Sequence, residues 1–88
     1  MANYRLFIKP SAVKELAALP RDDRQRIAGR IRRLSADPRP RGAEKLSGLE
    51  RYRVRQGDYR VVYASDDAEN AVTIFQIGHR REVYRNRG

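Results

Sequence analysis

The chain has 88 residues, no cysteine and a formal net charge of +9, from 20 basic against 11 acidic side chains. Residues 1–88 are read as a single domain with one core, and the missing thiols exclude disulfide frameworks, thiolate nucleophiles and cysteine-based zinc sites; a reducing cytoplasm fits. An apolar fraction of 40% is ordinary for a folded domain, no apolar run nears the roughly 20 residues that span a bilayer, and Arg5 interrupts any leader-like start, so no membrane segment is expected.

The alternation of Tyr4, Leu6 and Ile8 with Arg5, Phe7 and Lys9 predicts an opening strand, stopped by Pro10. Ser11 is placed as the N-cap of a short helix with Val13, Leu16, Ala17 and Leu19 as its stripe, ending at Pro20. Asp22 and Asp23 suit the positive end of a second helix, in which Ile27, Ile31 and Leu34 recur at spacings of four and three until Asp37 and Pro38 end it. So short a link packs the two as an antiparallel hairpin. Arg24, Arg26, Arg30, Arg32 and Arg33 are assigned to the face opposite Ile27 and Ile31, either as a solvated face or as a phosphate or partner contact. Residues 38–48 carry two prolines and two glycines and read as a loop.

Gly57-Asp58 suits a two-residue type II′ turn, so the runs on either side should pair as a hairpin. The register then sets Gln56 against Tyr59, Arg55 against Arg60, Val54 against Val61, Arg53 against Val62 and Tyr52 against Tyr63. Tyr52, Val54, Val61 and Tyr63 share the face expected against the helices, while Arg51, Arg53, Arg55 and Arg60 share the other. Like charges directly opposite repel, so the arginine cluster reads either as a phosphate site or as an open face whose stems cover apolar sheet surface. Asp66, Asp67 and Glu69 are placed at a solvated hairpin tip rather than a metal site. A last strand spans Ala71 to Ile77, with Val72, Ile74 and Gln76 on one face and Thr73, Phe75 and Ile77 on the other; which face meets the helices is left open.

Of the 20 basic residues only Lys9, Lys14 and Lys45 are lysine. Arginine's planar fork fits phosphate oxygens two at a time and stacks on bases, which favours a nucleic-acid partner, although GC-rich coding also enriches arginine. Behind the strand and two helices come Lys45-Leu46-Ser47-Gly48-Leu49, Tyr52-Arg53-Val54-Arg55, Gly57-Asp58-Tyr59-Arg60-Val61-Val62-Tyr63 and Gly78-His79-Arg80-Arg81-Glu82-Val83-Tyr84. In that order and spacing they resemble the RelE toxins of the RelE/ParE superfamily over nearly the whole chain. The resemblance implies an α+β fold of order β-α-α-β-β-β, with a helical hairpin packed on a small, mainly antiparallel sheet. It further implies a bacterial, cytoplasmic type II toxin held inactive by a cognate RelB-like antitoxin in a hetero-oligomer. Such a toxin cleaves messenger RNA in the ribosomal A site without a metal or small-molecule cofactor.

Carried over by position, Arg53 and Arg55 match two alternate basic residues of the second strand, Arg60 an arginine after the hairpin, Arg80 an arginine past the last strand, and Tyr84 the terminal tyrosine. Arg51 and Arg81 join them as RNA contacts. Metal-free cleavage has the RNA 2′-hydroxyl attack the adjacent phosphorus, leaving a 2′,3′-cyclic phosphate and a 5′-hydroxyl. Arg55, Arg60 and Arg80 suit the phosphorane's charge, whereas arginine, which keeps its proton in proteins, cannot serve as the base that lysine could supply in relatives. Tyr84, as base or stacked on a nucleobase, is the favoured partner, with the single histidine, His79, in reserve. The arginines of the second helix are expected on ribosomal RNA phosphates or against an antitoxin helix. Two alternatives remain. ParE-like members share the fold and act on DNA gyrase, and a non-catalytic RNA-binding module would need an exposed aromatic platform that this register, with Tyr52 and Tyr63 turned inward, does not supply.

Overall fold

Pro10 ends the opening strand β1 (Arg5–Ile8) and begins helix α1 (Pro10–Ala17) in one step. Its ring presets a helical φ and it has no N–H to leave unbonded in the first turn, while the residue before it, Lys9, is extended at φ −63° and ψ 147°. The helix therefore starts one residue before the expected Ser11 cap, with no side-chain cap, and closes at Ala17 rather than Pro20. The structure is a computed structural model and describes residues 3–46 and 51–79. Helix α2 (Arg21–Ala36) has Asp22 and Asp23 in its first turn and buries Ile27, Ile31 and Leu34, as their spacing requires.

The loop after α2 contains a short strand that its composition hides, β2 (Glu44–Lys45), paired antiparallel with β3 (Tyr52–Gln56) through Glu44 with Arg53 and Lys45 with Tyr52. β3 and β4 (Tyr59–Asp66) form the hairpin in the expected register, from Tyr52 with Tyr63 to Gln56 with Tyr59. Gly57 supplies the positive φ of the turn, +61°, which a side chain would oppose. β5 (Ala71–His79) completes a mixed sheet of order β1-β5-β4-β3-β2, parallel between β1 and β5 and antiparallel between the other described strands.

β5 departs from simple alternation. Val62 pairs with Gln76 but the next residue, Tyr63, pairs with Ile74, so Phe75 is the extra residue of a bulge. Val72, Ile74 and Ile77 consequently share the helix-facing core, correcting the expectation that Ile77 lies opposite Ile74. Their partners in that core are Ala12 from α1, Ile27, Ile31 and Leu34 from α2, and Val54, Val61 and Tyr63 from the hairpin. At the β4–β5 tip, Asp66 Oδ1 accepts the backbone N–H groups of Ala68 and Glu69, while Asp67 is clamped by Tyr4 and Arg39 rather than only solvated.

Tyr63 is fully buried, its ring stacks on Tyr52 with centroids 5.7 Å apart, and its hydroxyl donates to the Pro38 carbonyl at 2.6 Å. Burial pushes its phenol from 10.0 up to about 12. The folded pKa is the raised one, so the stabilisation is complete below pH 10 and is lost as pH climbs toward 12. We expect Tyr63→Phe to cost about 1–2 kcal/mol at neutral pH by orphaning the Pro38 carbonyl. The wild-type minus variant phenolate absorbance should show one tyrosine titrating near 12; titration at an ordinary tyrosine pKa would contradict the buried placement.

Candidate nucleic-acid interface

Alternation along the hairpin puts Arg53, Arg55 and Arg60 on the sheet face turned away from the helices. With Arg30, Gly42 and Glu44 they line a cleft of about 290 Å³. Arg60 is only 7% exposed, and its β5 partner is Gly78, which adds no side chain to crowd the guanidinium. Arg60 Nη1 and Arg30 Nε are buried without a hydrogen-bond partner among the described residues. A buried donor left without an acceptor costs about 1–3 kcal/mol, which an anion entering the cleft would recover.

Among the described residues Glu44 is the one carboxylate lining this cleft. Arg53 Nη2 donates to its Oε1 at 2.7 Å. That bond and the charge behind it, followed by the more distant Arg60 and Arg55, hold the Glu44 carboxyl below its ordinary range. Glu44 is therefore ionised at neutral pH and occupies Arg53 as a phosphate oxygen would. Glu44→Gln removes the competing carboxylate charge from Arg53 and from the cleft. Single-stranded RNA binding should tighten and its log–log salt slope should steepen by about 0.7, the value for one more neutralised phosphate. An unchanged slope in a fluorescence-anisotropy titration would show that Glu44 does not compete for that arginine.

The arginines of α2 do not act as one face. Arg24, Arg26, Arg32 and Arg33 are exposed, Arg26 making an ion pair with Asp23 at 3.8 Å, but Arg30 is half-buried in the cleft. At about 100° per residue Arg30 lies only some 60° from Ile27, so it flanks the apolar stripe rather than opposing it. That signal was present in the sequence. Arg51 sits outside the cleft, its Cζ 4.0 Å from the Phe75 ring centroid. His79 pairs with Tyr59 and lies on the helix side of the sheet, edge-on to the Tyr59 ring at 5.9 Å. There it lines a second cleft of about 630 Å³ with Glu15, Leu19 and Tyr59, which shares no lining residue with the arginine cleft. Arg80, Arg81 and Tyr84 lie outside the described residues.

The open face also carries aromatic rings, contrary to the expectation that none would be presented. Phe7 is 48% exposed beneath Arg5, and Phe75 is half-buried beneath Arg51 and Lys9. The covering role of long side chains holds here too, since Val62, on this face, is only 5% exposed.

Residues 6–84 match the family model of the ParE toxin of the type II toxin-antitoxin system parDE. The chain is similar to Toxin RelE of Mycobacterium tuberculosis, with 50% identity over 40 residues, 46% of this chain and 39% of that relative's length. Its fold is similar to the archaeal RelE-RelB complex of Pyrococcus horikoshii, with TM-score 0.79 and 30% identity over 98% of this chain and 99% of that one. It is likewise similar to the RelBE2 toxin-antitoxin complex of Mycobacterium tuberculosis, with TM-score 0.79 and 26% identity over 90% of this chain and 100% of that one. A fold shared end to end with these toxins, and a family match over nearly all of its length, make this chain a RelE-type member of the RelE/ParE superfamily of type II toxin-antitoxin toxins.

Proposed function

We propose that the protein is a toxin that cleaves messenger RNA in the ribosomal A site, with the arginine cleft holding the scissile phosphate. The observation that carries this is Arg60, withdrawn from water with a donor that has no partner among the described residues, and lining the cleft with Arg53, Arg55 and Arg30. Donors fixed in advance around a dry anion site stabilise charge that develops in a transition state, because they need no reorganisation when the charge appears. The 2′-hydroxyl oxygen bonds to phosphorus as its proton passes to a base, the P–O5′ bond breaks, the departing 5′-oxygen takes a proton from solvent, and the arginines hold the phosphorane's negative charge. The proton acceptor favoured for this step is Tyr84, with His79 in reserve. Because His79 lies across the sheet from Arg60, it would have to reach the cleft around the sheet. The ribosome would add the bent, near-attack geometry that free RNA rarely visits.

A cognate antitoxin is the proposed partner in the resting state. An acidic, partly apolar antitoxin would neutralise the cleft and stabilise the small toxin domain by mass action. The exposed Arg24, Arg26, Arg32 and Arg33 on α2 are available to ribosomal RNA phosphates or to that antitoxin.

The deciding experiment is primer extension on messenger bound to purified ribosomes, with naked messenger alongside. New 3′ ends at A-site codons, seen only with ribosomes, are the expected result. The matching family model carries the ParE name, which favours gyrase poisoning as the second reading. Intact messenger together with inhibited gyrase would establish that reading instead.

A further inference from the structure

We propose that the open face of the sheet holds a base-stacking subsite centred on Phe75, which receives a nucleobase next to the phosphate bound in the arginine cleft. The proposal rests on reading that cleft as an RNA phosphate site and adds how the neighbouring nucleotide is gripped.

The bulge in β5 is what creates the subsite. It lets Ile74 and Ile77 both enter the core while Phe75, between them, is left on the open face. The Arg51 guanidinium carbon lies 4.0 Å from the Phe75 centroid and Lys9 Nζ lies 5.0 Å from it. Arg51 can reach across because the β4 residue between the two strands is Ala64, which pairs with Thr73. Neither Arg51 nor Lys9 has a carboxylate within ion-pair distance among the described residues. Beside them on the same face Phe7 is 48% exposed, the neighbouring Arg5 lying 5.6 Å from its centroid.

An aromatic ring under a planar guanidinium forms a stack that a nucleobase can extend, and the unneutralised cations attract its phosphate. Continuity with the cleft selects a single-stranded nucleic acid over an acidic peptide. Arg53 pairs with Val62, and Val62 with Gln76, the residue next to Phe75. The phosphate cleft and the ring are thus about two strand spacings apart, ~10 Å, on one continuous surface. Adjacent nucleotides of an extended strand can bridge that span, whereas an acidic peptide would gain the cations and leave the ring face without a π partner.

The test compares two short oligomers with the same number of phosphates, a 2′-O-methyl oligoribonucleotide that cannot be cut and its abasic counterpart. The full-length protein should bind the base-bearing oligomer about 5- to 150-fold more tightly, the range of one base–aromatic stack. Phe75→Leu, which keeps an apolar side chain but removes the ring, should abolish that preference and leave abasic binding unchanged. The chain contains no tryptophan and five tyrosines, so Phe75→Trp provides a single tryptophan, excited selectively at the red edge, whose emission the base-bearing oligomer should quench and the abasic one should not. This second variant covers the case in which Phe75→Leu fails to fold. Equal binding of the two oligomers by the wild type would overturn the subsite and leave the phosphate cleft standing. A preference that survives Phe75→Leu would overturn it as well, by placing the stack elsewhere, and binding of neither oligomer would remove the cleft reading together with this one. Quenching of the Phe75→Trp fluorescence by an acidic peptide and not by RNA would reassign the surface to a protein partner.

Discussion

Replacing Arg60 by methionine is expected to lower ribosome-dependent cleavage by about two to three orders of magnitude, the usual cost of removing one preorganised donor from developing negative charge. The same change should leave the fold as stable as before or more so. Arg60 is buried to 7% exposure and one of its terminal nitrogens has no acceptor among the described residues. Burying a charge with unsatisfied donors costs stability, and an unbranched apolar side chain of similar reach relieves that cost. Activity and stability thus move in opposite directions. A residue kept only for structure would lower both, so single-turnover cleavage at saturating protein should be read beside a thermal melt. Cleavage within a few-fold of wild type would remove Arg60 from the chemistry. A melt depressed by many degrees would show that its buried stem, rather than its charge, is what the fold requires.

The parts of the fold legible in the sequence are those in which local geometry leaves one solution. Gly57-Asp58 admits a tight turn, the tight turn sets the register, and a slip by one residue would turn Val54, Val61 and Tyr63 out to solvent. Arg53, Arg55 and Arg60 follow from that same alternation. What stayed hidden depends on tertiary choices. The bulge at Phe75 arises because Ile74 and Ile77 are both wanted in the core although three residues apart, and period-two counting cannot see an inserted residue. β2 has two residues inside a stretch rich in proline and glycine and exists only because β3 offers it an edge. Glu44 therefore gave no sign that it faces Arg53. The platform of Phe7 and Phe75 is not legible in the hairpin, because it is assembled from β1 and from the bulge in β5. Arg80 and Tyr84 follow from family resemblance alone.

Ile74→Ala should be the most destabilising of the simple truncations, by about 2–5 kcal/mol. Ile74 is fully buried, pairs with Ile8 on β1 and Tyr63 on β4, and its carbonyl accepts the Lys9 N–H at 3.0 Å. It thus sits where the parallel pair β1–β5 joins the antiparallel remainder, with α1 and α2 packed against the same strand. A domain of this size has roughly 5–10 kcal/mol in total, so the loss should lower the melting midpoint on the order of 10–30 °C. Ile74→Leu keeps the volume and should cost under about 1.5 kcal/mol, which separates cavity formation from loss of shape. Addition of the proposed antitoxin should recover part of the deficit, since a ligand that binds only the folded toxin stabilises it by RT ln(1 + [L]/Kd). Circular-dichroism melts of the free and antitoxin-bound variant measure both quantities. A shift below about 3 °C for the free Ile74→Ala protein would mean that β5 is not the seam on which this core closes. The arginine cleft, two strands away on the opposite face, should then be sought on a scaffold held together elsewhere.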